Sequence, residues 1–273
     1  MKYLFSSFII ILFLFIACEG VQEGDQPTDF SAIQVKDVPD NTLNFLDIAE
    51  DFRYIRLETG DESLIGTVDK LIFAEDGIFV LDRTSKALYS FDFKGNFIKQ
   101  IGSTGRGPGE WLDPQDVSFD KENKRLVLYC RGTRKMLFYS TDGDFIKEID
   151  TGLRFRSMEY INEDTIFIVT HRILNVLPDS KELAFDLISL NLDMDILHKQ
   201  FPNNLVLGKS AGTFSDGKYL CNSDHGIFLN FYFNDTIYKI GNGSQGQTLF
   251  YILTLRAKGL IIMSFTRMKN TLT

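Results

Sequence analysis

The stretch "LDRTSKALYSFDFKGNFIKQI" (81–101) returns further along the chain as "LYCRGTRKMLFYSTDGDFIKEI" (128–149). When Phe91 is aligned with Tyr139, the two copies share several identities toward their ends. The identical pairs are Gly95 and Gly143, Phe97 and Phe145, Ile98 and Ile146, Lys99 and Lys147, and Ile101 and Ile149. Internal repeats of about 40–50 residues are typical of stacked or radial modules.

Each copy consists of short apolar runs separated by turn residues. The runs "IFVL", "ALYSFD" and "FIKQI" are rich in Phe, Ile, Val, Leu and Tyr, whereas "DRTSK" and "FKGN" lie between them. In "KGN" and "DGD" a glycine stands where a tight hairpin requires a positive φ. No stretch within 45–240 shows a sustained helical period with capping residues. The pattern predicts an all-β fold, a β-propeller of four-stranded antiparallel blades.

Two weaker copies follow, over 165–201 and 217–240. In the first of these Met194 stands where Gly95 stood, so we expect that hairpin to differ. With a repeat of about 40–50 residues, the range 45–241 holds about four blades.

The glycine-rich stretch "GSTGRGPGEW" (102–111) could be a phosphate-binding loop or a corner between blades. It lacks the lysine of a P-loop, and the following "WLDPQDVSF" does not begin a helix. We interpret it as the connection from the outer strand of one blade to the inner strand of the next, with glycines and Pro108 shaping the crossing.

These residues carry a family resemblance. The segment "IGSTGRGPGEWLDPQDVSFD", with "FVLDR", "FDFKGNFIKQIG" and "NDTIYKI", resembles six-bladed NHL- and TolB-like β-propellers. With "YIRLET…LIG" at 54–66, the chain resembles the six-bladed propeller lipoproteins of Bacteroidetes. The resemblance covers residues 45–241 and implies a fold and a cell-envelope location, but no activity.

The first residues indicate export. Lys2 precedes an apolar run over 4–17, which is shorter than the roughly 20 residues needed to span a bilayer, so 1–17 is predicted to be a signal peptide. The sequence "LFIAC" resembles a lipobox, with Phe15 departing from the usual leucine; an ordinary secretory signal is the alternative. The resemblance implies that Cys18 is lipidated, that 18–44 is a tether, and that the acyl chains hold the protein in the outer membrane or at the periplasmic face.

The net charge of the chain excludes some classes of binding partner. The formal net charge is −8, and 44% of the residues are hydrophobic. An acidic balance argues against nucleic acid as a partner, and against an anionic membrane bound through surface charge.

Five residues form the candidate binding set. Arg83 and Arg131 recur in the repeat just after an apolar strand, and Arg106, Glu110 and Trp111 lie in the glycine-rich connection. Arginines with an exposed aromatic ring could bind an anionic or sugar ligand by forked hydrogen bonds and stacking. The alternative is solvated loop charges with a packed tryptophan.

No residue is predicted to be catalytic or to bind a metal. The three histidines, His171, His198 and His225, are evenly spaced along the chain without a second ligand nearby, so we expect them on the surface or in turns. Propeller lactonases and lyases use calcium held by carboxylates, but here Asp82 meets Cys130 at the equivalent repeat position, which would break such a ring. No cofactor is expected, calcium entering only under the enzyme alternative.

Cys130 and Cys221 lie in strand-like runs. Their pairing stays open at this point, and buried free thiols are the favoured interpretation.

The segment 242–273 is atypical because it lacks hairpin glycines and contains no acidic residue. We expect a truncation or a change of reading frame relative to the family, and an open arc of blades with apolar faces exposed to water. The functional hypothesis is an envelope module that binds a glycan, peptide or protein. A propeller lyase or lactonase and a non-functional truncated paralogue are the alternatives.

Overall fold

The computed structural model contains four antiparallel sheets in a propeller arrangement, as predicted. It describes residues 53–162, 165–203, 219–223, 226–231, 236–242 and 248–254. These residues form strands, turns and connections, with no helix among them. The predicted signal peptide, Cys18 and the tether lie outside the described residues, as do His225 and most of 242–273.

Each blade is a meander of four strands, and in the first three blades the first strand lies innermost. The first blade consists of β1 (Lys70–Phe73), β2 (Ile78–Asp82), β3 (Ala87–Phe91) and β4 (Phe97–Ile101). After the short parallel pair β5 (Ser103–Thr104) and β6 (Glu110–Trp111), the second blade consists of β7 (Pro114–Asp120), β8 (Arg125–Cys130), β9 (Lys135–Ser140) and β10 (Phe145–Asp150).

The third blade contains an inserted hairpin. Its strands are β11 (Ser157–Asn162), β12 (Thr165–Val169), β15 (Phe185–Leu190) and β16 (Ile196–Pro202), with β13 (Asn175–Val176) and β14 (Glu182–Leu183) between the second and third strands. The fourth blade consists of β17 (Leu220–Ser223), β18 (Gly226–Asn230), β19 (Thr236–Asn242) and β20 (Thr248–Thr254). Because β20 pairs with β19 along its whole length, this sheet continues past residue 241, where the sequence placed the end of the blades.

The blades pack face to face because successive strand residues point to opposite faces. In the second blade Leu126 and Leu128 contact the first blade, whereas Val127 and Tyr129 contact the third. A third cluster joins the third and fourth blades through residues such as Phe167 and Leu229. The core is therefore a series of apolar layers between neighbouring sheets.

The outer hairpins share one conformation in three blades, and the expectation for the third blade is wrong. Gly95 and Gly143 have φ of 90° and 87°, and Met194 adopts φ of 67° at the same place. In each turn the N–H of this residue donates to the carbonyl three positions earlier, at 3.0–3.1 Å. The first turn residue also accepts a hydrogen bond from the backbone N–H four positions on, through Asp92, Ser140 or Asn191. These bonds hold the turn even where a side chain occupies the left-handed position.

The far face of the first blade is partly covered by the chain that leads into it. Ile55, Leu57 and Ile65 pack against a buried cluster that includes Val80 and Tyr89. Glu58 N donates to the Gly95 carbonyl oxygen at 2.7 Å, which fixes this segment beside the β3–β4 hairpin. We expected this apolar face of the first blade to be exposed to water, and that expectation is wrong because the preceding segment partly covers it.

Candidate functional site

The antiparallel meander places two sets of loops at opposite ends of the blades. One set contains the connections between second and third strands and those between blades; we call it the basic end, and in the first three blades it comprises 83–86, 102–113, 131–134, 151–156 and 170–184. The other set contains the remaining described turns; we call it the acidic end, and it comprises 74–77, 92–96, 121–124, 141–144 and 191–195.

Charge is divided between these two ends. The basic end contains nine Lys or Arg residues and four Asp or Glu, whereas the acidic end contains three Lys and eight Asp or Glu. The two ends therefore carry opposite net charges, although the chain as a whole is at −8. Because the screening length at physiological salt is about 8 Å, a ligand at one end responds to the local charge more than to the total.

The turns of the basic end are held by the neighbouring connections. Lys86 and Arg134 each close a turn with φ of 58° and 59°. The Lys86 carbonyl oxygen accepts the indole N–H of Trp111 at 2.7 Å, and the Arg134 carbonyl oxygen accepts the N–H of Thr151 at 2.9 Å and its hydroxyl at 2.7 Å. The backbone that carries these cations is thus fixed before any ligand binds.

The two recurrent arginines follow the second strand of their blades, and each lies against an acid of its own blade. Arg83 donates from its backbone N–H and from Nε to the two carboxylate oxygens of Asp69, both at 2.8 Å. Arg131 lies 3.8 Å from Asp113, measured from Nε to Oδ2, in a half-exposed pair. Arg83 is therefore occupied in holding its own loop, whereas the guanidinium group of Arg131 has more freedom to contact a ligand.

The three candidate residues of the glycine-rich connection have different surroundings. Glu110 accepts the N–H of Gly107 at 2.7 Å and closes the loop. Trp111 is only 1% exposed and packs edge-on against Tyr139, which agrees with the alternative of a packed tryptophan and leaves little of its ring accessible to a ligand. Its indole fills the space beneath the corner between blades. Arg106 is exposed to solvent at the basic end.

The inner strands carry a charged cluster that sequence reasoning missed. Lys70 on β1 lies between Asp116 on β7 and Glu159 on β11, with Nζ at 3.3 Å from Asp116 Oδ1 and 2.9 Å from Glu159 Oε1. The ammonium also donates to the Met158 carbonyl oxygen at 3.2 Å. Three blades thus meet at one ammonium group.

Further hydrogen bonds saturate the two carboxylates. Asp116 Oδ2 accepts the N–H of Met158 and the hydroxyl of Ser157, and Glu159 Oε2 accepts the hydroxyl of Ser118 at 2.7 Å. Burial alone would lower the pKa of Lys70, but the charges of the two acids outweigh it and raise that pKa above its ordinary value. Lys70 therefore stays protonated at neutral pH and joins the three blades.

One signal of this cluster was present in the sequence. The inner strands of the first two blades each contain a charged residue at an equivalent position, Lys70 in β1 and Asp116 in β7. These two residues pair with Leu81 and Tyr129, which fall on each other when the two copies of the repeat are aligned.

Asp82, which the sequence analysis compared with the carboxylates of a calcium-binding ring, instead binds nearby backbone N–H groups. Its side chain is fully buried and accepts the N–H groups of Gly66, Thr84 and Ser85. Burial favours a raised pKa, but the hydrogen bonds from Ser85 and Gly66 outweigh it and lower the pKa of Asp82 to about 2. Cys130, at the equivalent position, is buried among apolar side chains, and burial raises the pKa of its thiol to about 12.

Of the two described histidines, His171 lies half-buried in a bend of the connection between β12 and β13, within the positions that the sequence predicts. Its ring lies 4.6 Å from that of Tyr219, centroid to centroid, and within the described residues its buried Nδ1 has no hydrogen-bond partner. Burial, together with the charges of Arg156 and Arg172, lowers the pKa of His171 to about 4. His171 is therefore neutral at physiological pH. His198 on β16 is exposed, as expected.

Cys130 and Cys221 do not form a disulfide with each other. Cys130 is buried as expected, whereas Cys221 is exposed on β17, the first strand of the fourth blade. Within the described ranges, no three His, Cys, Asp or Glu side chains are grouped so that they could hold a metal ion. The part of the chain that the structure describes also contains no helix long and apolar enough to cross a membrane.

Comparison with solved structures gives propeller folds. A protein of Bacteroides fragilis named "Putative exported protein" superposes with a TM-score of 0.64 at 18% identity, covering 83% of this chain and 61% of its own. Weaker similarities, with TM-scores of 0.43 and 0.44, connect the chain to a DUF4221 member from Bacteroides vulgatus (10% identity, 68% and 57% coverage) and to hydrazine synthase of Kuenenia stuttgartiensis (9% identity, 74% and 53% coverage).

At these identities the solved structures inform on the fold alone, and the chain spans 61% of the length of the B. fragilis protein. A comparison with curated proteins found no significant match. One family model, described as "Domain of unknown function (DUF4934)", matches residues 30–258. Since that match covers most of the sequence, the chain belongs to the DUF4934 family.

Proposed function

We propose that this protein is a lipid-anchored protein of the cell envelope, of the six-bladed NHL-like type, whose blades form a binding module for a glycan, peptide or protein. The partner binds at the basic end, and the module performs no chemistry on it. The anchor is Cys18, and the anchored body faces the periplasm or the cell exterior.

The observation that carries the proposal is the fixed display of cations at the basic end. Lys86 and Arg134 close turns whose carbonyl groups are bound by Trp111 and Thr151 of the adjoining connections. A site held in place before binding loses little conformational entropy when the ligand arrives. By contrast, the buried ionisable cluster around Lys70 is occupied by internal hydrogen bonds, which favours a structural role for it.

The envelope location is supported by the signal-like sequence 1–17 and by the lipobox-like "LFIAC". The name of the similar B. fragilis protein, "Putative exported protein", agrees with this location. Replacing Cys18 by serine should release the protein from the membrane fraction of its native host, with loss of metabolic labelling by palmitate. Retention of Cys18→Ser in membranes would contradict the lipid anchor.

Binding is tested by presenting the purified full chain to arrays of glycans and peptides. We expect at least one ligand whose signal is lost when Arg106 and Arg154 are replaced by glutamine, and whose mass is unchanged after prolonged incubation. A ligand that is cleaved or isomerised would support the enzyme alternative. Signals that are all indifferent to these two arginines would overturn the assignment of the basic end.

A further inference from the structure

We propose that the basic end binds an anionic polysaccharide, a polymer with a carboxylate or sulfate group on successive sugar units. This inference rests on the proposed binding function and specifies the chemistry of its ligand. Its basis is the type of cation at each end and the state of the neighbouring acids.

The two ends differ in the type of cation they carry. Seven of the nine basic residues at the basic end are arginines, and they account for seven of the 12 arginines in the chain. The three cations of the acidic end are all lysines. The planar guanidinium group donates two parallel hydrogen bonds to a carboxylate or sulfate, whereas the lysine ammonium acts as a hydrated point charge. The division therefore favours forked recognition of oxyanions at one end.

Several of these cations are accessible. Lys86, Arg106, Arg154 and Arg172 are exposed, and they belong to four different loops that extend from the first blade to the third. A polymer with regularly repeated charges can contact several of these loops together, and each further contact then benefits from the effective concentration that the first one creates.

Aspartates at the same ends of the strands are already engaged. Asp69, Asp82, Asp150 and Asp186 accept backbone N–H groups from Arg83, Gly66, Gly152 and Arg172, respectively. These carboxylates hold the loops in shape. Their four negative charges offset most of the excess of five positive charges that the loops of the basic end carry, so binding is expected to depend on direct contacts with the exposed arginines more than on long-range attraction.

The test measures binding of the full chain, in a mild non-ionic detergent, to polygalacturonate, to uncharged dextran and to anionic phospholipid vesicles by isothermal titration calorimetry or flotation. We expect binding to polygalacturonate that weakens as salt rises, with no binding to dextran and less to vesicles. Replacing Arg106 and Arg154 by glutamine should weaken polygalacturonate binding by about tenfold.

A matched control removes the same charge from the other end. Replacing Lys94 and Lys121, both exposed at the acidic end, by glutamine should change the affinity by less than about twofold. Replacing Arg106 and Arg154 by lysine keeps the charge but removes the forks, and should give an intermediate affinity. Circular dichroism and thermal unfolding of each variant confirm that the fold is retained.

Three outcomes would overturn the inference: no binding to polygalacturonate, equal losses in the two glutamine variants, or tighter binding to vesicles than to the polysaccharide. The same experiments distinguish a failure of this inference from a failure of the proposed function. If an uncharged glycan or a peptide binds and depends on the basic end, the binding module stands and the anionic ligand is wrong. If no ligand depends on the basic end, both fail.

Discussion

Replacing Lys70 by methionine removes the ammonium that lies between Asp116 and Glu159 while retaining a side chain of similar length. Lys70 is 18% exposed and the two carboxylates are 9% and 8% exposed, so little water can take its place. The variant leaves two acids near each other without a counter-charge, at the point where the inner strands of three blades meet. We expect a large loss of stability.

The magnitude follows from the burial of the cluster. Breaking a buried ion pair by removing one partner typically costs about 3–5 kcal/mol. The folded pKa of Lys70 is raised, so its stabilising contribution is complete below the unfolded pKa of about 10.4 and is lost only as pH rises through the folded value. A measurement at about pH 8 therefore records the full effect.

The assay is urea unfolding of the purified full chain, followed by circular dichroism. The matched control is Lys124→Met, which breaks the exposed pair between Lys124 and Glu75, with side chains 57% and 72% exposed, and should leave the free energy of unfolding almost unchanged. Adding Asp116→Asn and Glu159→Gln to Lys70→Met should recover much of the loss, because the uncompensated charges are then gone.

The result that would refute this reasoning is a small loss. A loss of less than about 1 kcal/mol for Lys70→Met at about pH 8 would show that the ammonium does not join the blades as we describe.

The other predictions concern a hairpin, a histidine and the single tryptophan. Gly95→Ala should destabilise the fold by more than about 2 kcal/mol and Gly143→Ala by about 1 kcal/mol, since both have positive φ but only the new Cβ at Gly95 would overlap a backbone oxygen, that of Arg56. His171 has a pKa of about 4 in the fold, below its unfolded value of about 6.5. The stability that it supports is therefore present above about pH 6.5 and is lost as the pH falls toward about 4, so His171→Asn should make the unfolding midpoint less dependent on pH over this window. The fluorescence of Trp111, the one tryptophan in the chain, should be blue-shifted, resistant to acrylamide and unchanged by polygalacturonate.

Each of these has a result that would refute it. Equal losses for the two glycine variants would mean that the segment around Arg56 does not lie against the hairpin. A midpoint that depends on pH equally with and without His171 would place its titration near the unfolded value. Quenching of Trp111 by acrylamide or by the polysaccharide would show that the indole is accessible to ligands after all.

Sequence periodicity alone determined the repeating part of the fold. The return of 81–101 in 128–149, with its turn glycines, predicted antiparallel four-stranded blades, because alternation and hairpin chemistry are local properties of the chain. The same local rule failed at Met194, where hydrogen bonds within the hairpin hold a residue with a side chain in a conformation that glycine prefers. The sequence pattern also placed the end of the fourth blade too early, at residue 241, because β20 lacks the turn residues that mark the earlier strands.

The candidate site depended on which residues the blades bring together. Sequence could place Arg83, Arg106 and Arg131 in loops, since loop composition is local, but it could not show that Trp111 is buried beneath its corner. The Lys70 cluster joins residues as far apart as 70 and 159, and its parts become recognisable only when three inner strands converge. The opposite charges of the two ends arise in the same way, because antiparallel meanders sort alternate loops to opposite ends of the blades. The sequence thus determined the strands and their order, and packing between blades decided which charges meet.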